Sequence, residues 1–64
     1  MEQMELLQIE ARFVRIGDII EGHEVLDRQT YLTAFVGHTV EFRFAEHKPL
    51  TVKTTTELEV YRAV

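Results

Sequence analysis

Cysteine and serine are both missing from these 64 residues, and each absence closes off chemistry. Without cysteine there is no disulfide and no thiolate zinc site. Without either residue, serine- and cysteine-based catalytic triads are excluded. Glycine is scarce: Gly17, Gly22 and Gly37 are the only three, too widely spaced for a phosphate-cradling loop. Proline occurs once, at Pro49, so no Pro/Gly-rich hinge divides the chain and a single domain over residues 1–64 is expected. Positive charge is also short, with 7 Lys and Arg against 11 Asp and Glu, a net charge of -4 and a pI of about 5.2. Phosphate neutralisation dominates nucleic-acid affinity, so this balance disfavours direct DNA or RNA binding. Uncharged apolar runs are only a few residues long and the opening MEQMELLQIE is acidic, unlike a leader or a membrane span. The expectation is a cytoplasmic protein with no membrane partner.

What is present favours strands. Val, Ile, Thr, Phe and Tyr are frequent from residue 13 onward, and these residues suit a pleated surface. The Gly-His pair of EGHEV (21–25) recurs in VGHTV (36–40). A two-residue loop at Gly37-His38 suits a type II′ turn, whose first position favours glycine. That register sets Phe35 beside Val40, Thr33 beside Phe42 and Tyr31 beside Phe44 on one face, with Ala34 and Leu32 on the other. The same logic at Gly22-His23 sets Ile20 beside Val25 and Ile19 beside Leu26, although Glu21 then faces Glu24; a longer loop fits that segment equally. AEHKPL (45–50) reads as a loop because Pro49 lacks a backbone donor. TVKT and LEVYRAV read as two last strands, with Val52, Leu58 and Val60 pointing inward and TTTEL turning the chain between them. The N-terminal segment is read as a strand over about residues 5–11, with a helix the other reading of its Met1, Met4, Leu7 and Ala11 spacing.

ARFVRIGDII, residues 11–20, carries Ala11, Val14, Gly17, Asp18 and Ile20 in a pattern that resembles small uncharacterised proteins of actinobacteria and their phages. The closing LEVYRAV, with Val60 and Arg62, resembles their final strand. The resemblance implies a small five-stranded SH3-like β-barrel or strongly bent antiparallel sheet, of unknown function. Independently of it, Gly17 suits a strained turn, and Asp18 is placed to accept backbone hydrogen bonds as an Asx-type turn. Gly17, Asp18, Gly22 and Gly37 are therefore read as structural turn residues, with catalysis by Asp18 the lesser reading.

Other chemistry is thin. His23, His38 and His47, with Glu21, Glu24 and Glu46 nearby, are the only metal-like residues, and nothing in their spacing forces convergence. They are read as loop histidines, with no metal and no cofactor. The hydroxyl run Thr54, Thr55 and Thr56 is accounted for by a strand end and a turn. Paired catalytic carboxylates need a cleft, which a small filled barrel lacks. A non-enzymatic role follows. A chain this short buries only roughly 60% of its unfolded surface, yet 45% of its residues are hydrophobic. Excess apolar surface marks an interface, here an edge strand or the exposed side of Leu32, Ala34 and Val36. The expected function is a protein-binding or homo-oligomerising module, with a homodimer among the expected states, in the setting of a phage or bacterial accessory protein. The other reading is a nucleic-acid-associated regulator, acting directly or by occupying a basic site on a DNA-binding partner.

Overall fold

The computed structural model describes residues 3–64, and these form an all-β protein. In chain order the strands are β1 (Met4–Glu10), β2 (Ile19–Ile20), β3 (His23–Glu24), β4 (Asp27–Thr33), β5 (Gly37–Phe44), β6 (His47–Lys53) and β7 (Glu57–Ala63), with a 3-10 turn at Ala11–Phe13 after β1. They make two antiparallel sheets, β1-β7-β2-β3 and β4-β5-β6, and neither closes into a barrel. No helix among the described residues is long and apolar enough to cross a membrane.

The N-terminal segment is a strand, as read. Its alternation decides the matter: Leu7 and Ile9 pair with Val60 and Leu58 on the inner face, while Met4 and Leu6 pair with Ala63 and Tyr61 on the outer one. A helix over the same residues would have scattered those two sets around its circumference. Backbone pairing continues past the strand end, with Ala11 N–H donating to Thr56 O (2.7 Å) and Arg12 N–H to Thr54 O (2.9 Å). These bonds lock the 3-10 turn against the β6–β7 connection. The threonine run thus serves the fold partly through its carbonyls.

Both hairpin registers differ from expectation, and glycine geometry gives the reason. In the first hairpin the loop is Glu21-Gly22, with φ of 50° and 82°, and Ile20 pairs with His23. Two successive positive φ values are the type I′ arrangement, which matches the natural strand twist. Glu21 therefore never faces Glu24, and His23 lies in a strand. In the second hairpin the loop is Ala34–Val36 and Thr33 pairs with Gly37. Gly37, at φ 90°, opens the returning strand, and Thr33 Oγ1 donates to its carbonyl at 3.0 Å. Val40 consequently pairs with Thr30, and Phe42 with Arg28. The offset from the expected register is odd, so every β4 side chain changes face. Tyr31 and Thr33 leave the core side, and Phe35 leaves the strand altogether.

AEHKPL is mostly strand. Only Ala45 and Glu46 turn, and Phe44 pairs with His47. Pro49 is tolerated because β6 is an edge strand and its register against β5 shifts between Phe42 and Phe44. A bulge on an edge is where a residue without an N–H donor does least damage.

Ala11, Val14, Ile20, Val25, Val40, Phe42 and Val60 form the buried core, with Leu7, Ile9, Phe44, Leu50, Val52 and Leu58 packed around it. The inward placing of Val52, Leu58 and Val60 agrees with expectation. The described chain extends 44 × 24 × 14 Å, with a radius of gyration of 11.9 Å, against about 10.7 Å for a compact domain of this length. Length without thickness leaves much of the sheets uncovered. On β4 only Arg28 is even partly buried.

Candidate binding surfaces

The hairpin joining β4 to β5 is the first candidate. Leu32 is 74% exposed, Ala34 and Val36 are exposed, and all three residues of the expected interface lie together at this tip. Phe35 sits among them, fully exposed at φ 72°. Sequence reasoning missed Phe35, having assigned it to the core face. A positive φ is a genuine outlier for a bulky side chain, because its Cβ crowds the backbone.

The second candidate lies around the 3-10 turn. A groove of about 530 Å³ is lined by Arg12, Arg15, Arg28 and Arg62, with Phe13 and Ile16 among its apolar walls. Four of the seven basic residues meet here. The turn gathers them. Its last carbonyls lack partners within the turn, and two guanidinium groups supply them: Arg28 Nη2 donates to Arg12 O (3.3 Å) and Arg62 Nη2 to Phe13 O (3.1 Å). Arg12 lies over the Phe13 ring at 4.8 Å, a cation–π contact. Its Nε is 2.7 Å from Glu10 Oε1, but that oxygen makes no hydrogen bond, so the two form a close charge pair without an aligned bond.

Asp18 holds Arg62 from outside the groove. It is 3% exposed and accepts from Arg62 Nε at 3.0 Å, Arg62 Nη2 at 2.8 Å and the Arg15 backbone N–H at 2.9 Å. Burial pushes its carboxyl pKa up, but the Arg62 and Arg15 hydrogen bonds, with both guanidinium charges, outweigh burial and hold it below the ordinary carboxylate range. The same pairing raises Arg62 above its ordinary value. A carboxylate so held is a permanent acceptor and a poor proton shuttle. The backbone bond is the turn role expected of Asp18. The bridge to Arg62 was missed, although both residues stand in the two quoted motifs.

Gly17, at φ 97°, donates its N–H to Val25 O at 2.8 Å, and Asp18 O accepts from Val25 N–H at 2.8 Å. This turn therefore holds the start of β2 against the segment that leads into β4.

The histidines separate into a pair and a single. His23 and His47 stack with ring centroids 4.1 Å apart, and Phe44 meets both, at 5.9 and 5.7 Å. His38 is exposed on β5, opposite Leu32. The reading of three loop histidines thus gives way to strand histidines, because both turns fall earlier than expected and His47 opens β6. The two imidazole planes are inclined by 30°. Among the described residues no three His, Asp or Glu side chains gather as a ligand set.

Comparison with known proteins finds no family model, no curated protein and no solved structure that matches this chain.

Proposed function

We propose that this chain is a non-enzymatic protein-binding module whose first partner is a second copy of itself, joined through the β4–β5 hairpin. Phe35 carries the reading. Its left-handed backbone costs about 1–2 kcal/mol, while covering an exposed phenylalanine returns about 1.5–3 kcal/mol. A partner that buries the ring would therefore offset the strain. Strain of this kind at an exposed tip is a reason to look for function there. Leu32, Ala34 and Val36 widen the contact, and β4 offers an edge with unpaired backbone groups, which suits strand addition.

Light scattering with the parent and Phe35→Gly tests this. The parent should form a dimer, and the glycine variant, which has neither the strained side chain nor the ring that a partner would cover, should be a monomer. A parent that stays monomeric at high concentration, or a variant of unchanged mass, would defeat the proposal. A pull-down from bacterial lysate whose partners are lost on nuclease treatment would turn the reading towards a nucleic-acid-associated regulator.

The finer fold belongs to the same proposal. We take the two sheets as an opened SH3-like arrangement in which β1, β4, β5, β6 and β7 supply the five strands and the β2–β3 hairpin elaborates the first connection. Supporting this, Leu26 N–H donates to Arg43 O at 2.8 Å, so the chain leaving the first sheet is already bonded to the second. Hydrogen exchange at Leu26 tests that relation. A small bacterial or phage accessory protein working in the cytoplasm is the setting we propose, on the resemblance and the cysteine-free composition.

A further inference from the structure

We propose that the arginine-lined groove is a separate site that takes an acidic segment of a partner protein, one bearing an apolar side chain beside its carboxylates. Charge complementarity carries the argument. Of the four arginines, Arg12 and Arg62 have counter-ions in Glu10 and Asp18, whereas Arg15 and Arg28 have no carboxylate within ion-pair distance among the described residues. The lining itself contains no carboxylate. In a chain of net charge -4, a patch with two guanidinium groups in surplus is a local reversal of sign.

The surplus matches carboxylates in kind. Guanidinium groups bind carboxylates through paired, charge-assisted hydrogen bonds. Phe13, 56% exposed, and Ile16, 62% exposed, line the same groove and offer apolar cover to a neighbouring side chain. A volume of about 530 Å³ holds a few residues. A nucleic-acid strand would extend beyond the groove and meet the remaining carboxylates of an acidic surface, so a peptide is the better occupant.

Fluorescence anisotropy tests this with a labelled short peptide alternating Glu and Leu, a Lys/Leu peptide of the same length, and single-stranded oligothymidine. The Glu/Leu peptide should bind saturably and more weakly as salt rises. Arg15→Ser should weaken it about tenfold, the scale of one charge-assisted hydrogen bond. Lys53→Ser, outside the groove, should leave it unchanged. Phe35→Gly should also retain binding, which separates this site from hairpin association; loss in that variant would overturn the claim of a separate site. No saturable binding of the Glu/Leu peptide, an Arg15→Ser variant that binds like the parent, or tighter binding of oligothymidine would overturn the proposal.

Discussion

Replacing Asp18 by Asn keeps the size of the side chain and removes its charge. The carboxylate accepts three hydrogen bonds, two from Arg62 and one from the Arg15 N–H. The amide offers one acceptor oxygen, so one of its NH₂ donors must face another donor. Breaking a buried ion pair costs about 3–5 kcal/mol, and the Arg62 side chain is 22% exposed, which argues for the lower end. A chain of this length has a total stability of about 3–10 kcal/mol, so a loss of about 3 kcal/mol removes a third or more of it. With a urea slope of about 1 kcal/mol/M, the midpoint should fall by about 3 M. Arg62→Met, and then the double variant, separates the bridge from the Arg15 bond: the two changes together should cost about 1–3 kcal/mol less than their sum. The pH dependence has a definite sign. The folded pKa of Asp18 is depressed, so its contribution is complete above the unfolded value near 4 and is lost as pH falls through the folded pKa. Parent and Asn variant should therefore differ by a constant amount above about pH 5 and converge in acid. A midpoint shift below about 1 M at neutral pH, or additive single changes, would refute the claim that this bridge holds the fold.

Two further outcomes are expected. His23→Ala should destabilise the protein by about 1 kcal/mol, the scale of an aromatic pair, whereas His38→Ala should change it by less than about 0.5 kcal/mol; equal effects in thermal melts would mean that the His23–His47–Phe44 stack contributes nothing. The Leu26 amide, bonded to Arg43 O, should exchange as slowly as amides in the centre of β5, because the bond extends the β4–β5 ladder and opening it requires those strands to part. Exchange at the rate of a loop amide would remove the support for an SH3-like relation.

Strand content was legible wherever alternation and burial agree. Leu7 and Ile9 against Val60 and Leu58 are one such set, and β1 and β7 could be placed from them. Turn position was legible only to within a few residues, because a glycine with positive φ can stand inside a two-residue loop, as Gly22 does, or just after a longer one, as Gly37 does. The choice between these is made by the whole hairpin. Thr30 opposite Val40 and Arg28 opposite Phe42 put fewer apolar groups on the core side than the expected register. They also bring Arg28 within reach of the Arg12 carbonyl at 3.3 Å.

The same odd offset links both binding surfaces. It moves Phe35 from a buried strand position to an exposed tip, and it moves Arg28 to the side of β4 from which it lines the groove. In the expected register Phe35 would have been core, and the groove would have lacked one of its two arginines without a counter-ion. The candidate interface at Leu32, Ala34 and Val36 is exposed for another reason than the one expected, since Leu32 changes face with β4 and Ala34 and Val36 lie in the turn. Phe35 and the four arginines were not legible, since each depends on which residue faces which across a turn that local sequence leaves open. Association through the hairpin would itself favour this register, because only here does the Phe35 ring stand at an exposed tip that a partner can cover. On that argument Phe35→Gly, which relieves the strain without moving Gly37, should keep the register and the groove while removing the dimer.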